Sequence, residues 1–129
     1  MIDHTGVSVT NPKKSRAFYE AALKPIGYSV LMVVPPEHTG GIAVLGFGEP
    51  PKPDFWVHEG DPKGVQVHVA FSAKTRAQVD AFYAAAIAAG GVDNGPPGVR
   101  AHYHPSYYGA FVRDPDGHNV EVVCHAPQS

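Results

Sequence analysis

The sequence repeats itself, and this repeat limits the folds that the chain can adopt. Residues 68–91, "HVAFSAKTRAQVDAFYAAAIAAGG", align without gaps on residues 4–27, "HTGVSVTNPKKSRAFYEAALKPIG", at an offset of 64, the separation of His4 and His68. A histidine, a Phe-Tyr pair and a glycine coincide in the two copies, whereas the coincident alanines carry less weight. A repeat of this length predicts two copies of one supersecondary unit.

Each copy is predicted to form a strand followed by a helix. Asn11 is a candidate N-cap with Pro12 at the first helical position, and "TRAQ" (75–78) has the form of a capping box. After each helix come three apolar runs separated by turn residues. These runs are "YSVLMVV", "GIAVLGF" and "DFWVH" in the first copy, and "VRAHY", "GAFVR" and "NVEVVC" in the second. Both halves therefore predict the order βαβββ, an α+β fold of two tandem modules.

The domain boundaries follow from the repeat. The chain of 129 residues is predicted to be a single domain, 1–129, with a first module over about 1–60, a linker over 59–64 and a second module over about 65–125. The offset is expected to fail in the middle of the modules, because it places "LMV" (31–33) over "GPP" (95–97). The register of the later strands is therefore predicted only to within a residue or two.

Composition excludes two classes of partner. Charged residues make up 17% of the chain, the formal net charge is −2, and no run of Lys or Arg is present that would neutralise a phosphate backbone, so no nucleic-acid partner is expected. No apolar stretch approaches the roughly 20 residues of a membrane-spanning helix, and the N-terminus lacks the pattern of a secretory signal. A cytoplasmic protein is expected, and the single Cys124 fits a reducing compartment.

Three polar residues in apolar strands are candidate metal ligands. Side chains alternate across a strand, so His68 points away from Val67 and Val69, and Glu121 points away from Val120 and Val122. Burial of an unpaired carboxylate is costly. Taken alone, a strand histidine more often donates to a backbone carbonyl, and Glu121 would pair with an arginine, Arg100 or Arg113, or face solvent. Two histidines at the matched positions of a repeat, His4 and His68, together with one carboxylate favour a metal site with open positions.

These segments, above all "DPDGHNVE" (114–121), resemble the vicinal oxygen chelate superfamily, which includes glyoxalases, bleomycin-resistance proteins, fosfomycin thiol transferases and extradiol dioxygenases. The resemblance implies a curled mixed sheet and a homodimer. It also implies a divalent metal ion, Fe, Zn, Mn or Ni, held by His4, His68 and Glu121. The second carboxylate of glutathione-dependent glyoxalases is missing, because Val57 falls opposite Glu121 to within two residues. Glu59 remains an alternative fourth ligand.

Candidate acid-base groups lie in "VRAHYHPSYYGAF" (99–111), where His102, Tyr103 and Tyr108 are the predicted catalytic residues. The alternative is an edge strand and loop with solvated side chains. Three functions are left open. The first is a metal-dependent glyoxalase-like lyase or isomerase acting on a small oxygenated metabolite, and the second is an Fe(II) extradiol-type dioxygenase. The third is a metal-free, bleomycin-resistance-like dimer that binds a ligand between its subunits. Such a dimer would not need two histidines and a glutamate in register, which argues against it.

Overall fold

The computed structural model describes residues 1–127, and it confirms the α+β fold of two βαβββ units. The first unit contains β1 (Thr5–Val9), α1 (Pro12–Leu23), β2 (Ser29–Val33), β3 (Val44–Gly48) and β4 (Phe55–Glu59). The second contains β5 (His68–Ser72), α2 (Arg76–Ala88), β6 (Val92–Val99), β7 (Tyr108–Arg113) and β8 (Asn119–Cys124). The last two residues of the predicted domain, 128 and 129, lie outside the described residues. In the described part, no helix has the length and apolar character that crossing a membrane requires.

Each unit forms a mixed four-stranded sheet. The strand orders are β1-β4-β3-β2 and β5-β8-β7-β6, so β1 and β5 are edge strands of their sheets. β1 runs parallel to β4 and β5 runs parallel to β8, and the other pairs are antiparallel. Helix α1 packs on α2, and one apolar core continues through both units, where the Phe55 and Phe71 rings meet edge to face at 5.1 Å. One face of each sheet is thus covered by a helix, and within residues 1–127 no helix packs on the opposite face.

The helix signals in the sequence are confirmed. The Asn11 side chain accepts the amide hydrogen of Lys14, and Pro12 begins α1. Thr75 and Gln78 form a complete capping box at the start of α2. Both caps fall at the same position of the repeat, so the two helices begin at equivalent positions of their units.

The predicted strand "VRAHY" is corrected by the structure. β6 is instead the run 92–99, and residues 100–103 form a turn. The prolines at 96 and 97 made this run an unlikely strand, since proline has no amide hydrogen to donate to a ladder. β6 is an edge strand, however, and its pairing with β7 shifts register around Gly95. Edge strands and bulges are the places where a sheet tolerates proline.

The repeat continues through both units with one inserted residue. Val7 pairs with Val57 and Phe71 pairs with Val122, and all four side chains are buried in the core. The offset is therefore 64 in the first strands and 65 in the last, a net difference of one residue that arises between them. Counted this way, the first-unit residue that corresponds to Glu121 is Trp56, one position from the predicted Val57.

Polar side chains from the β7–β8 turn join the second unit to the first. The Tyr19 hydroxyl on α1 donates to Oδ2 of Asp114 at 2.6 Å, and both residues are buried. Nδ1 of buried His118 accepts the amide hydrogen of Val67, while its Nε2 donates to the carbonyl of Ser8. Burial and the adjacent Asp114 carboxylate raise the pKa of the Tyr19 hydroxyl well above its usual value, so the hydroxyl remains a donor.

The substitution Tyr19→Phe is expected to destabilise the protein by roughly 1–3 kcal/mol, because it leaves a buried carboxylate oxygen of Asp114 without this donor. Urea unfolding monitored by fluorescence measures the change. Tyr103→Phe is the matched control, since that side chain is largely exposed, and its effect is expected to stay within about 0.5 kcal/mol. Equal stabilities of the two variants would show that the hydrogen bond between Tyr19 and Asp114 does not stabilise the contact between the two units.

Candidate functional site

Glu121 is buried on the face of the second sheet that the helices do not cover. Its residue exposure is 1%, and its neighbours Val120 and Val122 point to the opposite face, into the core. Across the sheet it lies between Ala70 on β5 and Phe111 on β7. The predicted alternation of β8 is therefore correct, and the carboxylate is enclosed by residues of its own unit.

Both carboxylate oxygens of Glu121 have partners. Nε2 of His68 lies 2.8 Å from Oε1, and the Tyr107 hydroxyl donates to Oε2. The His68 side chain is 54% exposed, whereas that of Glu121 is 2% exposed. The pair therefore has one enclosed member that is fixed and one member that solvent or a ligand can reach.

The loop that follows β6 places Tyr107 on Glu121. The Tyr107 amide donates to the carbonyl of His104, and the Tyr107 carbonyl accepts from the amide of Arg100. A side chain at position 109 would crowd both groups, because a Cβ on Gly109 would lie 3.2 Å from the Tyr107 ring and 3.4 Å from Oε2. Burial, with the Glu121 hydrogen bond, strongly raises the pKa of the Tyr107 hydroxyl. The hydroxyl thus stays protonated and continues to donate at neutral and mildly alkaline pH.

His68 and Glu121 suit a divalent cation. Two ligand atoms at about 2.0–2.2 Å from one ion lie about 3 Å apart when they occupy adjacent positions. The observed separation of 2.8 Å between Nε2 and Oε1 is close to that value. An imidazole and a carboxylate are ligands for Zn, Mn, Ni and Fe, and binding of an ion would replace the hydrogen bond between the two groups.

The structure does not gather His4 with this pair. His4 borders the same cleft as His68, of about 320 Å³, but no three His, Cys, Asp or Glu residues converge to hold an ion anywhere in the range 1–127. His4 is exposed, and its Nδ1 lies 2.7 Å from Oδ1 of Asp3, which also pairs with Lys52. These two hydrogen bonds lower the pKa of Asp3, that of Lys52 having the larger effect. A carboxylate on one ring nitrogen, with the other nitrogen exposed, is the usual setting of a metal-binding histidine.

The predicted catalytic residues take different positions. The His102 and Tyr103 rings pack against each other in a tilted arrangement with centroids 4.1 Å apart, and Tyr103 packs in the same way against Tyr107 at 4.7 Å. Tyr103 thus contacts a partner of Glu121, and His102 lies behind it. Tyr108 is not brought to the site, because its hydroxyl donates to Asp80 on α2, on the helix side of the sheet. The Glu59 carboxylate accepts the amide hydrogen of Ala43 and is likewise not gathered with His68 and Glu121.

Sequence reasoning missed the role of Tyr107. The signal was present, since Tyr107 has the same parity as Gly109 and Phe111, and Phe111 pairs with Glu121. Extending the alternation of β7 backwards by one residue beyond its start places Tyr107, rather than Tyr108, on the face of the site. The uncertain register of the later strands hid this relation.

Comparisons with known proteins agree with this architecture. The model of the Glyoxalase/Bleomycin resistance protein/Dioxygenase superfamily matches residues 1–122. A glyoxalase/bleomycin resistance protein from Albidiferax ferrireducens T118 is 28% identical, with 97% of this chain and 98% of that chain covered and a TM-score of 0.70. No curated protein sequence matches the chain.

Two more distant structures share the fold. One is a mutant of the fosfomycin resistance protein FosX from Listeria monocytogenes, in complex with Mn(II) and 1S,2S-dihydroxypropylphosphonic acid. It is 18% identical over 95% of this chain and 88% of that chain, with a TM-score of 0.68. The other is a glyoxalase I mutant from Zea mays, also 18% identical with a TM-score of 0.68, which covers 95% of this chain and 43% of that chain.

Proposed function

The chain belongs to the glyoxalase/bleomycin resistance protein/dioxygenase superfamily, and from this premise we propose that it is a metal-dependent enzyme of the glyoxalase-like lyase or isomerase type. Its substrate is a small oxygenated metabolite. The observation that carries the proposal is the enclosed Glu121 carboxylate with the exposed His68 imidazole directed at it. A carboxylate buried at this cost, beside a reachable imidazole, is explained by a cation that both groups bind.

The third ligand is His4, and we assign it to a second copy of the chain. Within one chain, the described residues bring only His68 and Glu121 together. His4 lies just before β1, an edge strand of the first sheet, and His68 begins β5, an edge strand of the second sheet. Two edge strands from different copies can lie side by side, which would bring the His4 of one copy to the pair of the other. The proposed enzyme is therefore a homodimer with shared sites.

A bound divalent ion would supply Lewis acidity, which stabilises negative charge that develops on a substrate oxygen. The chain's own residues do the rest. Tyr107 fixes the orientation of the Glu121 carboxylate through its hydroxyl, and the helix-free face of the sheet receives the substrate. His102 and Tyr103, whose rings pack against each other beside Tyr107, are the proposed proton carriers.

Metal content tests the proposal. The protein purified without oxygen, and the metal-free protein reloaded with Fe, Zn, Mn or Ni, are analysed for bound metal. We expect stoichiometric binding that His68→Ala abolishes and that His38→Ala, a change in an exposed loop histidine, leaves intact. Mn is among the candidates because FosX, of the same fold, was crystallised with Mn(II).

The identity of the metal separates the remaining functions. Zn, Ni or Mn supports the lyase or isomerase, whereas Fe supports the dioxygenase alternative. An absence of metal from both native and reloaded protein, with His68→Ala as stable as the parent, would contradict the metal site and leave the ligand-binding dimer.

A further inference from the structure

Arg100 follows β6 directly, and backbone carbonyls hold its guanidinium in one place. Nη1 donates to the carbonyl of Gly98 at 2.9 Å, and Nη2 donates to the carbonyl of Pro96 at 2.7 Å. The guanidinium carbon lies 5.5 Å from the centre of the Phe111 ring. Since a guanidinium has more N–H donors than these two bonds use, others remain for a ligand.

The irregular course of β6 makes the space that this guanidinium occupies. A Cβ at Gly95 would lie 3.1 Å from Nη2 and 3.0 Å from the Phe111 ring, and a Cβ at Gly98 would lie 3.1 Å from Nη1. The register of β6 shifts on both sides of Gly95. The segment "GPPG" (95–98) therefore holds the Arg100 side chain in place. Its glycines leave space for the guanidinium, and its carbonyls accept hydrogen bonds from it.

Phe111 links this cation to the proposed metal pair. It pairs directly with Glu121, and the centre of its ring lies 6.3 Å from that of His68. The two ring distances together place the guanidinium carbon within about 12 Å of the His68 ring centre. Arg100 and Tyr107 also close the same loop through a backbone hydrogen bond of 2.7 Å. The cation thus lies on the same side of β7 as the His68–Glu121 pair, with the Phe111 ring between it and His68.

The charge of Arg100 has no partner in the described chain. No carboxylate in the range 1–127 lies within 4.0 Å of its guanidinium, whereas the surface residue Arg16 pairs with Glu20 at 3.0 Å. Its carbonyl partners orient the guanidinium without neutralising it. A fixed, uncompensated arginine fork binds planar or tetrahedral oxyanions more strongly than a mobile surface cation does.

We propose that Arg100 is an anion subsite of the proposed enzyme, so that the substrate is a small acid. Its chelating oxygens would lie at His68 and Glu121, and its oxyanionic group, a carboxylate or a phosphonate or phosphate, would lie on the Arg100 guanidinium. The position of the chelating oxygens rests on the proposed metal-dependent function. The binding of the anion to Arg100 does not depend on it.

Matched chelators test the subsite in the Co(II)-loaded protein. Acetohydroxamate is compared with glutaric monohydroxamate, which adds a carboxylate tail, and with its phosphonate counterpart, and dissociation constants are read from the Co(II) absorption spectrum. We expect at least one tailed chelator to bind roughly tenfold or more tightly than acetohydroxamate, and the stronger of the two identifies the anion. Arg100→Met is expected to remove this preference without changing the affinity for acetohydroxamate, and Arg16→Met is expected to keep it.

If Arg100→Met does not fold, Arg100→Lys is tested instead. Lysine keeps the positive charge but lacks the two-pronged guanidinium, so the preference for the tailed chelators is expected to be smaller than in the parent. An equal affinity for tailed and untailed chelators in the parent protein would overturn the proposal.

A failure of the metal site is recognised separately, because the protein would then bind no Co(II). The subsite is in that case decided on the metal-free protein by NMR of the Arg100 Nε–H group. Methylphosphonate or acetate is expected to shift this signal, whereas neutral acetamide is not. An unchanged signal with both anions would overturn the proposal.

Discussion

Replacing Glu121 by glutamine is expected to weaken divalent-metal binding by about a hundredfold or more while the protein stays folded. Loss of a partner that merely supports a ligand already lowers metal affinity by about 10–100-fold, and here a charged ligand itself is lost. The fold survives because the amide has the same shape. Its oxygen can accept from Tyr107, and its NH₂ can donate to His68 once the imidazole adopts its other tautomer. Titration calorimetry gives the affinity, and thermal unfolding without metal gives the stability.

Two tyrosine variants provide comparisons for the metal affinity of Glu121→Gln. Tyr107→Phe removes the hydrogen bond to Oε2 but keeps the carboxylate, so its affinity is expected to fall by about 10–100-fold. Tyr103→Phe removes a hydroxyl at the edge of the same loop and is expected to bind metal as the parent does. Undiminished affinity in Glu121→Gln would place the ion elsewhere.

The fold could be predicted from the repeat because the repeated features are local sequence signals. Helix caps at matched positions and alternating apolar residues are decided within a few residues of the chain, and they specified α1, α2 and most strands. β6 was misplaced for the opposite reason. Its prolines are acceptable only because the strand lies at a sheet edge, and edge position depends on the pairing of the whole unit.

Local signals also predicted that two residues of the candidate site lie together. Parity within β8 identified Glu121, and the pairing of β5 with β8 brings His68 to it. The sequence did not predict the hydrogen bond of Tyr107 to Glu121, and it offered Arg100 only as a partner for Glu121, whereas the structure binds its guanidinium to backbone carbonyls. Both positions depend on the loop after β6 and on the glycines that make room for these side chains. The net difference of one residue between the two units also shifted the counterpart of Glu121 from Val57 to Trp56, a change that no ungapped alignment of the two halves contains.

The sequence alone could not tell whether the proposed third ligand, His4, comes from the same chain as His68 and Glu121 or from a second copy, because both copies have the same sequence. The structure narrows the choice, since the described part of one chain does not bring three ligands together. Variants that remove different ligands can separate the two possibilities in solution.

Mixed dimers of His4→Ala and Glu121→Gln are expected to recover metal binding that neither variant has alone. If each site takes His4 from one copy and His68 with Glu121 from the other, a mixed dimer contains one intact site, because the undamaged His4 and the undamaged pair come from different copies. Random mixing would then restore about a quarter of the sites, since half of the dimers are mixed and each has one intact site of two. Differently tagged variants, refolded together, are assayed for high-affinity metal.

The mixture of His68→Ala with Glu121→Gln is the matched control. Both changes damage the same half of every site, so this mixture has no intact site whether ligands are shared or not. Recovery in the first mixture and none in the second assigns His4 to the second copy. No recovery in either, from preparations in which mixed dimers are demonstrated by their two tags, would mean that each chain builds its site alone. His4 would then have to move within its own chain, across the cleft that it borders with His68, to reach the metal pair.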